Sequence, residues 1–190
     1  MLIFYCIRRM GENMRLTVGV FSVVSVVAFI ASSPVAAQQW VDYVNPEYRF
    51  AVNFPVEPTE QDTSYVSADG ATLAGRAFSA EQDTSIYRVT VVTFPAEVAD
   101  VAAELDHAAQ SYRQRGEATH DQPGDYDGIE AHELSLIDPE GRQIFVSILY
   151  HDRRLVIAEG DVSADAFPPI QFQQSIWVVD AEGTPVNLEN

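Results

Sequence analysis

The fold is decided by residues 86–116, which read IYRVTVVTFPAEVADVAAELDHAAQSYRQRG. Residues 86–94 are rich in β-branched and aromatic side chains that alternate between two faces, which predicts a strand. After Pro95, apolar residues recur every three or four positions. This spacing predicts an amphipathic helix over residues 97–115, with Gly116 as its C′ residue. We therefore expect a sheet with one long helix inserted after a strand.

Strand patterns also lie on the N-terminal side of this segment. Residues 48–54 alternate strictly between apolar and other side chains and are followed by Pro55, which predicts a half-buried strand. Residues 63–67 and 71–80 flank Ala-Asp-Gly, which predicts a hairpin.

On the C-terminal side, the polar residues 119–128 predict a loop. The remaining predicted elements are strands over residues 129–137, 142–150 and 154–158, a short helix over 164–175 and an extended piece over 176–179. Beyond about residue 180 we expect a frayed tail. Together the elements predict an α+β fold: a helix–sheet–helix sandwich with a mostly antiparallel sheet of about six to seven strands, one long helix and one short C-terminal helix.

The first 37 residues have the pattern of a secretory signal peptide. Three arginines precede an apolar run over residues 16–30, and small residues, Val35 and Ala37, stand at the −3 and −1 positions of a cleavage predicted after Ala37. The alternative is an uncleaved membrane anchor, because the run approaches the length that spans a bilayer. Three methionines are alternative starts: Met1, Met10 and Met14. We expect one mature domain, residues 38–190, that is periplasmic or secreted.

The composition excludes several kinds of chemistry. The 28 acidic residues outnumber 11 basic ones, a net charge of −17 that argues against a nucleic-acid partner. All the basic residues are arginine, so no lysine is available as a Schiff base or phosphate ligand. Without the signal peptide, 8 arginines and 27 acidic residues give a net charge of −19. The only cysteine, Cys6, lies in the signal, so the mature domain has no disulfide and no thiol nucleophile.

Histidines and clustered carboxylates are the candidates for a base or a metal site. Four histidines are present, and no two have the spacing of a zinc motif: His107, His120, His132 and His151. Carboxylates cluster in the predicted loop and just after it: Asp121, Asp125, Asp127 and Glu130. They could surround Ca²⁺, although their spacing departs from the EF-hand pattern, and a solvated acidic loop is the competing interpretation.

Two further patterns bear on binding. Arg153 and Arg154, with Arg142 on the preceding strand, form the basic cluster of the mature chain. This cluster either docks an anionic group or pairs with neighbouring acids such as Asp152. No Gly-x-Ser-x-Gly motif is present, and the glycines show no phosphate-cradling pattern (Gly70, Gly75 and Gly116). We therefore assign no catalytic, cofactor-binding or metal-binding residue.

The order of these elements resembles the PsbP/Mog1-like fold, particularly small exported bacterial members. The segments that carry the resemblance are an opening strand with a proline-marked exit (50–58), a central strand (87–91) before Phe94-Pro95, Leu105-Asp106, Gly128, Glu133-Leu134, Arg154-Leu155 and the closing segment 172–176. The resemblance covers residues 40–179 and implies a domain that binds or assists other proteins without a shared catalytic centre.

We therefore expect an exported, non-catalytic binding or assembly factor of the cell envelope, whose partner is another envelope protein or a small ligand. Two alternatives remain open at this point. One is a small envelope hydrolase whose site is assembled only in three dimensions. The other is a membrane-tethered accessory subunit that keeps its N-terminal segment as an anchor.

Overall fold

The computed structural model describes residues 40–188, so the predicted signal peptide and its cleavage site lie outside the described residues. The strands are β1 (Val41–Asn45), β2 (Phe50–Phe54), β3 (Thr59–Val66), β4 (Thr72–Gln82), β5 (Ser85–Thr93), β6 (Glu117–Tyr126), β7 (Ile129–Ile137), β8 (Gln143–His151), β9 (Arg154–Val162) and β10 (Trp177–Val178). The helices are α1 (Val101–Arg113) and α2 (Ile170–Gln174). Neither described helix is long and apolar enough to cross a membrane.

Seven of the strands form one antiparallel sheet, in the order β3-β4-β5-β9-β8-β7-β6. Alternating residues of β5 enter two separate cores, as the period of two requires. Tyr87 and Val89 face a core shared with α2 and a three-stranded sheet in the order β1-β2-β10. Val92 faces the core beneath α1. The two helices therefore lie on opposite faces of the large sheet, and the predicted α+β helix–sheet–helix sandwich is confirmed.

Helix α1 begins at residue 101 rather than at the predicted residue 97, so it is shorter than predicted at its N-terminal end. Asp100 is its N-cap, and its carboxylate accepts a hydrogen bond of 3.0 Å from the backbone amide three residues on. The C-cap is Gln114, so the prediction of Gly116 as the C′ residue is wrong. Gly116 is instead needed for close packing, because a Cβ there would collide with the carbonyl oxygen of Ile137.

Of the predicted loop at residues 119–128, residues 119–126 are part of a strand, so this prediction is also wrong. These residues belong to β6, which pairs with β7 along its length, with a bulge between Ala118 and His120. Strand β6 is at the edge of the sheet, where polar side chains and a proline such as Pro123 are tolerated because one side makes no ladder. The composition that suggested a loop is thus that of a protected edge strand.

The C-terminal part departs from prediction in two respects. Helix α2 is confined to five residues because Pro168 and Pro169 lie in the segment before it. The tail is not frayed up to residue 188. The amide of Val186 donates to the carbonyl oxygen of Val178 at 2.9 Å, and that of Leu188 donates to the carbonyl oxygen of Asp127 at 2.8 Å. The tail is therefore hydrogen-bonded to β10 and to the turn between β6 and β7.

Candidate binding groove

A groove of about 500 Å³ opens between the β3–β4 turn and the start of α1. We call it the acidic groove and define it by its lining residues, which lie in segments 67–73 and 94–104. Its lining includes Leu73, Phe94 and Val98 together with several alanines. A concavity of this size with an apolar lining is of the kind that holds ligands or side chains of a partner.

Carboxylates occupy the rim of the acidic groove. Asp69, Glu97 and Asp100 all line it, and none of the described lining residues is an arginine or a histidine. Asp69 accepts hydrogen bonds from the Ser67 hydroxyl and the Ala71 amide, which lower the pKa of its carboxyl group. Glu97 accepts a bond of 3.2 Å from the hydroxyl of a tyrosine in β8. The rim is therefore negative, and each of the three carboxylates has a hydrogen-bond partner.

A buried carboxylate fixes the wall of the groove. Glu104 on α1 is only 3% exposed, and its Oε1 accepts a hydrogen bond of 2.6 Å from the Tyr65 hydroxyl on β3. Its Oε2 accepts one of 3.1 Å from the Ala68 amide. Burial, and then the Glu104 carboxylate, raise the pKa of Tyr65 well above its usual range, so the phenol stays protonated. The β3–β4 hairpin is thereby tied to α1.

Sequence reasoning missed Glu104, although a signal was present. Glu104 stands three residues after Val101 and four before Ala108, so it lies on the apolar stripe of the helix rather than on its polar face. A charged residue in such a stripe requires a hydrogen-bonding partner. The spacing could have indicated a buried acid but could not identify Tyr65 as its partner, since 39 residues separate the two.

The structure gives His132 a structural role. It is buried, and its Nε2 lies 2.7 Å from Oδ1 of Asp121. The Nε of Arg113 donates to Oδ2 of the same carboxylate at 2.6 Å. The hydrogen bond from Arg113 lowers the pKa of Asp121 well below its usual range. This cluster joins the end of α1 to β6 and β7.

The other three histidines are dispersed. Nε2 of His107 lies 2.9 Å from the carbonyl oxygen of Val66, and that of His120 lies 3.6 Å from a carboxylate oxygen of Glu133. His151 ends β8. Within residues 40–188 no group of three or more His, Cys, Asp or Glu residues could hold a metal ion.

Among the described residues, the four carboxylates considered for Ca²⁺ do not form a group that could hold a metal ion, although Asp125 and Glu130 are opposite each other in the β6–β7 hairpin. Asp121 is paired with Arg113, and Asp125 accepts a hydrogen bond of 2.8 Å from the Gly128 amide. Asp127 has a left-handed backbone (φ 53°) in the β6–β7 turn, and Glu130 is exposed on β7. The expected flexible loop is a tight hairpin, and its carboxylates serve the turn and the sheet.

The predicted basic cluster is divided. Arg142 precedes β8, whereas Arg153 and Arg154 follow it, so they lie at opposite ends of a strand about 30 Å long. Arg142 pairs with Asp161 at 2.6 Å, and Arg154 pairs with Asp152 at 2.7 Å. Arg142 therefore does not belong to a common site with the other two.

Comparisons with known proteins add one finding. No family model and no curated protein matches the chain. The solution structure of cyanobacterial PsbP (CyanoP) from Synechocystis sp. PCC 6803 matches with a TM-score of 0.47 and 12% identity, covering 77% of this chain and 96% of that one. That is the fold the sequence resembles. The likeness concerns the fold alone, and no residue role, partner or location is transferred from it.

Proposed function

We propose that the chain is an exported, non-catalytic binding or assembly factor of the cell envelope, and that the acidic groove holds an extended basic segment of its partner. The observation that carries the proposal is the lining of the groove: an apolar interior, a rim of three carboxylates and no described basic side chain. Such a surface favours a segment in which a small apolar residue is flanked by arginine or lysine.

Two physical effects support this choice of partner. Burial of an apolar side chain in the groove contributes roughly 25 cal/mol per Å² of surface removed from water. The flanking cations gain from the rim carboxylates and from the net charge of the whole chain, which steers cationic partners towards it. Affinity should therefore fall as salt is added.

The described lining of the groove lacks the parts of a serine-hydrolase site. Its hydroxyl-bearing side chain, Ser67, is buried and held by Asp69 Oδ1 and by the Ala71 carbonyl oxygen. A serine nucleophile needs an adjacent base, and none of the described lining residues is a histidine. This argues against serine-based catalysis in the groove.

Peptide binding tests the groove directly. A labelled peptide of alternating arginine and valine should bind, whereas a peptide of alternating glutamate and valine should not. Fluorescence anisotropy should show weaker binding for a variant carrying Asp69→Asn and Glu97→Gln. Glu130→Gln, an exposed acid on β7, should leave binding unchanged. Equal binding of the two peptides would contradict the proposal.

A second experiment identifies the partner in the cell. A photo-crosslinking residue at position 99, in the groove, should trap a protein through a basic segment, and one at position 130 should not. Adducts that form equally at both positions would exclude the groove. Turnover of a substrate that is abolished by replacing one histidine or carboxylate would favour the hydrolase alternative.

Export is tested separately, by the mass of the protein from the envelope of its host. A chain that begins at Gln38 supports export with cleavage. A chain that retains the apolar segment supports the membrane-tethered alternative.

A further inference from the structure

A second cavity, of about 140 Å³, lies between the two sheets at the end formed by the β8–β9 hairpin. Its interior consists of Val156 from the large sheet, Val178 and Val179 at β10, and Val186 from the tail. The first three of these valines are almost fully buried. The cavity is close in size to an engineered cavity of about 150 Å³ that binds benzene, so it suits a ligand of about six heavy atoms.

Two arginines line this apolar cavity. Arg154 is on β9, opposite His151 in register, and its side chain is 18% exposed. Arg49 precedes β2, and its carbonyl oxygen accepts a hydrogen bond of 3.1 Å from the Val179 amide. The backbone of Arg49 is therefore fixed at the side of the cavity, with a left-handed φ of 63°.

Arg49 differs from the other arginine in its charge balance. Arg154 is paired with Asp152, but within residues 40–188 Arg49 has no carboxylate partner. The other acid of the lining, Asp180, uses its Oδ1 to accept bonds of 2.9 and 2.8 Å from the amides of Glu182 and Thr184. Arg49 is a half-buried residue of the lining without an acidic partner among residues 40–188, and the Asp180 carboxylate of the same lining is held by backbone amides.

We propose that this cavity binds a carboxylate with a short aliphatic chain, with the carboxylate on Arg49 and the chain among the valines. A guanidinium presents its N–H groups in the fork that matches a carboxylate. The valines remove the aliphatic part from water. The ligand chemistry fits either a free short-chain acid or the C-terminal carboxylate of a chain that ends in a small aliphatic residue. The site is separate from the acidic groove and does not depend on its function.

The test is an NMR titration of the purified protein with butyrate, using butyramide as the neutral control of matched shape. Butyrate should shift the methyl resonances of Val156, Val178 and Val179 saturably, and butyramide should not. N-acetylvaline distinguishes the two sources. If it binds as well as butyrate, the site accepts a C-terminal residue, and if it does not, the site takes the free acid.

Variants locate the carboxylate. Arg49→Gln should weaken butyrate binding by about ten- to a hundredfold, as expected for loss of a charge-assisted hydrogen bond. Arg153→Gln is the matched control, because Arg153 also has a left-handed backbone (φ 59°) but does not line the cavity, and it should leave binding unchanged. If Arg49→Gln disturbs the fold, Arg154→Gln provides a second test and should also weaken binding, because it leaves the Asp152 carboxylate in the lining without its cation. Equal shifts with butyrate and butyramide, or equal losses in the Arg49 and Arg153 variants, would overturn the proposal.

Discussion

Replacing Glu104 with glutamine tests whether a buried carboxylate ties the β3–β4 hairpin to α1. The substitution keeps the shape of the side chain and removes its charge. The carboxylate accepts from two donors with two different oxygens, 2.6 Å from the Tyr65 hydroxyl and 3.1 Å from the Ala68 amide. Glutamine has one acceptor oxygen, so it can satisfy only one of these donors and turns an NH₂ group towards the other.

The expected loss follows from these two bonds. A hydrogen bond to a charged group contributes about 1.5–3 kcal/mol and a neutral one about 0.5–1.5 kcal/mol, while an unsatisfied buried donor costs about 1–3 kcal/mol. Relief from burying a charge offsets part of the loss. We therefore expect Glu104→Gln to lower the free energy of unfolding by about 2 kcal/mol. For a domain of this size that corresponds to a fall in Tm of roughly 4–8 °C.

Urea denaturation followed by tryptophan fluorescence measures this change. Asp106→Asn is the control on the same helix, since the Asp106 side chain is 62% exposed and its pair with an arginine should contribute less than about 1 kcal/mol. In a double-mutant cycle, Tyr65→Phe and Glu104→Gln should be coupled by about 1 kcal/mol. Equal effects of Glu104→Gln and Asp106→Asn, or strictly additive effects in the cycle, would refute the reasoning.

Three further predictions concern stability. Phe172→Ala should lower the free energy of unfolding, measured by urea denaturation, by about 3–5 kcal/mol, because Phe172 is fully buried. Phe167→Ala, at a residue that is 95% exposed, should change this free energy little. Gly116→Ala should lower the free energy of unfolding by about 1–3 kcal/mol, and with it the Tm, because the new Cβ would collide with backbone atoms. Gly124→Ala should leave the Tm unchanged, because its Cβ would make only ordinary van der Waals contacts. The pKa of Asp121 is lowered in the folded state. The contribution of the ionised Asp121 carboxylate to stability is therefore complete above its unfolded pKa of about 4 and is lost as the pH falls through its folded pKa. Acid titration of Asp121→Asn should accordingly show a shallower loss of stability below pH 4 than the parent, and an unchanged acid limb would contradict this.

The sequence correctly predicted the elements that have one apolar face and one polar face. The alternation in β5 and the stripe in α1 assign those elements because each must bury one face against a core. The hairpin turns at Gly70 and Gly141 were also predicted. Both residues have positive φ values, which glycine adopts without strain. These signals are local, because each is carried by a few neighbouring residues.

The sequence failed at β6 because the strand is held by pairing with β7 rather than by its own composition. Its exposed side chains give no apolar alternation, and only the neighbouring strand determines its conformation. The tail after residue 180 was mispredicted for the same reason, since its hydrogen bonds are made to distant segments.

The candidate sites were harder to predict because they depend on pairings across the chain. The acidic groove joins segments about 30 residues apart, and the valine-lined cavity joins the residue before β2, the β8–β9 hairpin, β10 and the tail. Sequence spacing could show that no local metal or nucleophile motif exists. It could not show that Asp121 is held by Arg113, or that Arg142 and Arg154 are at opposite ends of a strand.

Most arginines of the described domain are held in ion pairs. Among the eight arginines of the described domain, six pair with carboxylates, several of them beneath or beside α1. Arg115, for example, bonds Glu159 at 2.6 Å, and Glu159 is only 7% exposed. Arginine held in this way neutralises part of the acidic charge and leaves the remaining carboxylates unbalanced. Among residues 40–188, Arg49 and Arg153 are the two arginines without a carboxylate partner, and Arg49 is the one that lines the valine-lined cavity, where the proposed anion would meet it.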